Sequence, residues 1–282
     1  MKKLILSLVL IVLSLVLGTG IAFAEEGNNN GGGSKKNACR ALPSYETLRA
    51  ALSTARAQAN GGLNLDMWGT IVDRDGIVCA VAFTGANRGS QWPGSRVISA
   101  QKANTANAFS LPAFTLSTAN LYTATQPGGS LFGLQESNPV NIGAAYGGNP
   151  EQYGKKDDPM VGDRIGGVNV FGGGLALYNS NHEIVGGLGV SGDTSCADHN
   201  IAYRTRNLLS LDYVPGGVAA VADPTHKDNI IFDVTPQGDG VQLQGQMPGV
   251  STSGYGHASC HGYNLAGNAI STGFSAGLPA NK

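Results

Sequence analysis

Two runs of β-forming residues, 167–178 and 183–190, flank Asn179, Ser180, Asn181 and His182 and read as a hairpin. They carry Gly172, Gly173, Gly174, Gly186, Gly187 and Gly189. Glycine weakens a strand and offers no side chain to pack. Such density marks bulges, or the close approach of another backbone or a ligand. The rest of the chain agrees: glycine makes up 42 of 282 residues and charged residues only 13%. That composition suits a protein with much turn and loop, not a helical bundle.

Four other segments show clear periodicity. Pro43 and Ser44 open a first helix, with Ser44 as N-cap. Leu48, Ala51, Leu52, Ala55 and Ala59 recur at helical spacing, and Asn60, Gly61 and Gly62 end it. A hairpin follows, with strands at 66–73 and 77–84 and Asp75-Gly76 at its turn. A second helix spans 97–109, rich in alanine, and Pro112 stops it. Residues 116–123 are expected to form a further short helix. A last helix covers 197–210, started by Ser195 and Asp198 in a capping-box-like pair. It places His199, Tyr203 and Arg206 near one another. One more strand is expected at 230–234.

Helix and hairpin thus occur twice, which predicts an α+β fold: an antiparallel sheet of about five strands packed against helices. Neither half is large enough to bury its own sheet, so 39–282 is expected to be one domain. Residues 124–166 stand out as a Gly-, Pro- and Asn-rich insertion with little periodicity. A loop of that length in a compact domain is uncommon. It either serves a site or an oligomer interface, or decorates the surface. The tail from 219 is also loop-rich.

The N-terminus predicts export. Lys2 and Lys3 precede an apolar run, and the segment closes on Ala22-Phe23-Ala24. Residues 1–24 read as a cleavable signal peptide, and 25–38 as a flexible Gly/Asn-rich linker. The apolar run falls short of the ~20 residues of a membrane span. Cleavage removes two lysines, so 18 basic residues become 16 against 19 acidic ones, a formal charge of −3. Nothing in that balance favours nucleic acid or an anionic membrane. The mature protein is expected in the periplasm or the medium. Its four cysteines, Cys39, Cys79, Cys196 and Cys260, suggest two disulfides in such a compartment, with three pairings open.

The glycine runs do not open a helix as a dinucleotide-binding loop does. The 192–196 stretch, Gly-Asp-Thr-Ser-Cys, only loosely resembles a nucleophile elbow. Cys196 and His199, one helical turn apart, have the spacing of a thiol and its base, but a disulfide would silence the thiol. The five histidines show no tight metal-binding spacing; a single axial histidine suffices for haem iron.

Several of these segments together resemble the haem-binding GlcG/HbpS-like family, also called the haem-degrading domain family. The matching stretches are the helix at 48–59, TIVDRDG at 70–76, SAQKANTA at 99–106 and GGLGVSGDT at 186–194. The resemblance covers roughly 44–123 and 165–215. It implies a profilin-like sheet with packed helices, a homo-oligomer built by face-to-face contacts, and haem or a similar small molecule as ligand. Lys102 falls in the family's alanine-rich helix. The chain departs from compact members at 124–166, in its 216–282 tail, and at Asp198 and His199. Within this frame, pairing Cys39 with Cys79 and Cys196 with Cys260 closes a loop in each half, contributing ~2–4 kcal/mol apiece.

These readings converge on an exported haem- or small-molecule-binding protein. The alternatives are an enzyme that degrades haem or acts on a small organic acid, and a structural or interaction protein. The expected ligand-binding residues are His199, Asp198, Lys102, Arg206 and Tyr203. Haem iron would be held by His199, His257 or His261, with His199 first because a helix holds it rigidly. No catalytic set is assigned.

Overall fold

The computed structural model describes residues 39–235, 249–260 and 277–282. The signal-peptide and linker segments and His261 lie outside the described residues.

The first helix, α1 (Tyr45–Arg56), starts as expected: Ser44 caps it by accepting a hydrogen bond from the Thr47 amide. Leu48, Leu52 and Ala55 form its buried stripe. Strands β1 (Trp68–Asp73) and β2 (Val78–Phe83) pair antiparallel. At their turn the Asp73 carboxylate accepts from the Asp75 and Ile77 amides. Helix α2 (Ser95–Ala108) follows. Two 3-10 turns, Thr118–Leu121 and Thr123–Thr125, replace the short helix expected at 116–123. A five-residue helix, α3 (Ile142–Tyr146), lies within the insertion. Then come β3 (Gly174–Tyr178), β4 (Ile184–Ser191) and α4 (Ser195–Leu208). The N-cap of α4 is Thr194, one residue before the expected start, because its hydroxyl reaches the Ala197 amide. A two-residue pair, β5 (Val234–Thr235) with β6 (Val250–Ser251), takes the place of the strand expected at 230–234.

The main sheet is antiparallel, in the order β2-β1-β4-β3, with four strands where about five were expected. Its residues alternate between two cores. Ile71, Ala80, Leu175, Leu177, Leu188 and Val190 pack against α1 and α4. Trp68, Val72, Val78, Val81 and Phe83 pack against α2. The strand glycines explain how α2 sits. A Cβ at Gly189 would overlap the Ser99 carbonyl, and one at Gly187 would overlap the Ala103 carbonyl. Without side chains there, the helix backbone lies directly on β4, one of the alternatives that the glycine density left open. Thr70 on β1 adds a buried hydrogen bond of 2.7 Å to Ser99 on α2.

The 124–166 insertion is no surface decoration. Ala145, Met160 and Ile165 complete the α2-side core. Asp158 is buried and ion-pairs with Arg96 of α2. The disulfides are Cys39–Cys79 and Cys196–Cys260, with Cα atoms 5.4 and 6.2 Å apart. The first fixes the start of the described chain to β2. The second fixes the tail to α4.

Candidate functional site

The turn from β4 into α4 gathers the polar groups. Asp193 accepts hydrogen bonds from the amides of Leu63, Leu65 and Thr194, which locks the 63–65 loop to the head of α4. One turn later Asp198 points into the interior. Lys102 reaches it from α2, on the opposite face of the sheet, at 2.7 Å, and also donates to the Val190 carbonyl at 3.0 Å. Both side chains are fully buried. Gly173, at φ +115, lies between them; a Cβ there would overlap the Val190 carbonyl and press on Lys102 Nζ. Burial disfavours both charges. It lowers the Lys102 pKa and raises that of Asp198 to about 7, against the pull of the pair itself.

Tyr203 and Arg206 converge on Asp228. Arg206 forms a two-pronged ion pair with it, at 2.6 and 2.8 Å, and donates to the Ala176 carbonyl. The Tyr203 hydroxyl lies 3.0 Å from Asp228 and from the Asn281 side chain. Burial opposes ionisation of Asp228, but the Arg206 guanidinium overrides it and holds the carboxyl below its usual range. Burial pushes the Tyr203 phenol well above its own.

His199 lies between these two ion pairs. Its ring is 5.6 Å from that of Tyr203. It is wholly buried, and among the described residues neither ring nitrogen has a hydrogen-bond partner. Burial lowers its pKa to about 3, so the imidazole is neutral at ordinary pH. The Gly172 backbone packs against it; a Cβ at Gly172 would come within 3.0 Å of the His199 Cβ.

His257 belongs to the same neighbourhood by another route. Its ring lies 4.8 Å from that of Tyr122, tilted by 45°, and its backbone amide donates to the Ile231 carbonyl. Nδ1 lies 2.6 Å from the Ala258 carbonyl and Nε2 2.7 Å from Ser195 Oγ. Cys196, His257 and Cys260 bring their ligand atoms within 4.8 Å of one another, but the two sulfurs are bonded together.

A second region is open. A cleft of about 420 Å³ lies at the N-terminal end of α2, walled by Trp68, Val97, Tyr146, Tyr153, Arg88 and Arg96. Arg96 is buried, pairs with Asp158 and lies 3.6 Å from the Tyr153 ring centre. Arg88 forms an exposed pair with Glu151. Trp68 donates its indole N–H to the Trp92 carbonyl.

The sequence therefore named Lys102, Asp198, His199, Tyr203 and Arg206, and the structure brings all five into one polar interior. It missed Asp228, which balances Arg206, and Ser195, which meets His257. It also missed the cleft. The signal for Asp228 was weak: one of four aspartates in a loop-rich tail, with no spacing that singles it out. Three consecutive polar residues, Asp198, His199 and Asn200, all buried on one helix, were the stronger hint.

The sequence model for the haem degrading protein HbpS-like family matches residues 44–206. The chain belongs to the HbpS-like family. Among solved structures, the Klebsiella pneumoniae protein ORFY is 24% identical, with 58% of this chain and 86% of that one covered at a TM-score of 0.40. The PduOC complex with haem is 23% identical, covers 59% and 93%, and has a TM-score of 0.41. HbpS is 15% identical, covers 58% and 86%, and has a TM-score of 0.36. No curated protein matches the chain. All five residues of the polar interior named from sequence fall within the family match.

Proposed function

We propose that this HbpS-like chain is an exported haem-binding protein with His199 as the iron ligand. The family match supports a haem-related role. The observation that carries the residue assignment is the state of His199: a neutral imidazole with both ring nitrogens unpartnered. Iron ligation needs that form of histidine, and an unpaired buried nitrogen is otherwise costly. Bound haem would supply a redox-active iron whose properties its axial ligand tunes. Lys102 and Arg206 would be the cations available to pair with the propionates, each now balanced by Asp198 or Asp228. Because His199 has no exposed face, binding requires the 168–173 strap beside it to lift.

Export rests on the N-terminal pattern. The two disulfides agree with an oxidising compartment, and among the described residues no helix is long and apolar enough to cross a membrane. A homo-oligomer is part of the same reading: Phe132, Ile142 and Tyr146 of the insertion expose apolar surface.

Haemin titration of the mature chain, followed at the Soret band, tests the proposal. Saturable binding is expected in the wild type, with an altered band in His199→Ala. No shift beyond that of an unrelated protein would end the haem reading. An identical band in His199→Ala would remove that residue from the site.

A further inference from the structure

Ser195 and His257 form a pair that haem binding does not use. The Ala258 carbonyl can only accept, so its 2.6 Å contact assigns the proton to His257 Nδ1. Nε2 is then the acceptor, and the Ser195 hydroxyl donates to it at 2.7 Å. A hydroxyl aimed at a neutral imidazole, whose other nitrogen is held by a fixed acceptor, is the arrangement of an activated nucleophile. The backbone amide of Gly172 donates to the same oxygen at 2.6 Å, an interaction that strengthens as the oxygen gains negative charge.

The surroundings fit that role. Ser195 is the first residue of a 14-residue helix entered from a strand through a short turn. A nucleophile elbow uses the same strand–turn–helix order. Thr194 occupies the Ala197 amide with its hydroxyl and the Asp198 amide with its carbonyl. Among the described residues the Ser195 and Cys196 amides have no acceptor outside the helix, and they flank the serine where an oxyanion would form. Ser195 is half-buried, while His257 is buried. The Cys196–Cys260 disulfide joins the residue after Ser195 to a residue three beyond His257, and so staples nucleophile and base together.

We propose that Ser195 and His257 form an acyl-transfer centre that cleaves small esters with short acyl groups. Small substrates are favoured because the serine sits against the buried Gly172 backbone, with only Ala258 beside it half-buried, which leaves little room for a long acyl chain. Ser195 Oγ bonds to the acyl carbon while its proton passes to His257 Nε2. The ester C–O bond then breaks, and the alcohol leaves with that proton. Water, deprotonated by the same nitrogen, attacks the acyl-serine and releases the carboxylic acid and the free serine.

The test is labelling of the full mature chain by a fluorophosphonate probe, mapped by mass spectrometry, alongside hydrolysis of p-nitrophenyl acetate. The adduct is expected on Ser195, absent in Ser195→Ala. In His257→Gln, with both disulfides intact, labelling should slow ~100-fold, the low end of what a positioned base contributes. His182→Gln, on an exposed loop, should label like the wild type. An adduct on other residues with Ser195 untouched would overturn the proposal. So would His257→Gln labelling at the wild-type rate. If that variant does not fold, the wild-type pH profile decides. Burial lowers the His257 pKa below 6.5, with Lys102, His199 and the Tyr122 ring facing it. A single ionisation below pH 6.5 supports the base; a rate that only tracks hydroxide overturns it.

Discussion

The interior around α4 and the cleft around Trp68 are opposite in kind. The first is polar, sealed and rich in donors. Lys102, Asp198, Arg206 and Asp228 are each 1% exposed or less. The second is aromatic and open, with room for a ligand but no histidine or cysteine in its wall. A haem needs both an iron ligand and a flat apolar slot, and here the unpaired histidine does not line the slot. The buried ion pairs by themselves are weak evidence for a site, since such pairs also serve structure alone. What separates the interior from a plain structural network is His199, which the network leaves unpaired.

The contrast can be broken most sharply at Asp228. Asp228→Ala strands Arg206 as a buried, uncompensated cation, and the expected loss is ~3–5 kcal/mol, read as a fall in the urea midpoint. Gly173→Ala is expected to cost ~2–3 kcal/mol. Its φ of +115 suits glycine alone, and the added methyl meets the Val190 carbonyl. If Gly173→Ala were neutral, the strap would already be loose, and a ligand could reach His199 without cost.

The interior should also respond to pH in a way the cleft does not. His199 titrates at about 3 when folded against 6.5 when free, so its contribution is present above pH 6.5 and lost as pH falls toward 3. Asp198 runs the other way: with a folded value of about 7 against 3.8, its contribution is present below pH 3.8 and lost as pH rises toward 7. Between about pH 4 and 6.5 the two slopes oppose each other, and the wild type should be nearly flat. His199→Leu removes one of them. Its stability should then fall by ~1 kcal/mol per unit of rising pH across that window. A flat His199→Leu profile would mean that Asp198 keeps an ordinary pKa and that its ion pair with Lys102 outweighs burial.

The parts legible in the sequence were those decided locally. Ser44 caps α1 because its neighbours are helix formers, and Asp75-Gly76 turns the first hairpin with contacts inside five residues. Gly187 and Gly189 left a close backbone among the alternatives, without pointing to α2. The partners of buried charges were not legible. Arg206 finds Asp228 22 residues away across a loop, and Arg96 finds Asp158 62 residues away in an insertion without periodicity. Ser195 and His257 are also 62 apart. The Cys196–Cys260 pairing was the one sequence clue that brings those two segments together. Only Cys196 with His199, one helical turn apart, was weighed there; Ser195 with His257 needs the tail to fold back.

The smallest effect belongs to the cleft, and it sharpens the comparison. Arg88 and Glu151 are exposed, so Arg88→Ala should cost under ~1 kcal/mol, and salt should erase even that. Tyr146 is 59% exposed, and Tyr146→Phe should leave stability unchanged within ~0.5 kcal/mol. The informative readout for both is ligand binding. If haem is held at His199, neither substitution moves the Soret band. If Tyr146→Phe shifts the band while His199→Ala does not, the iron lies in the aromatic cleft, and the unpaired histidine is a cost the fold bears for some other reason.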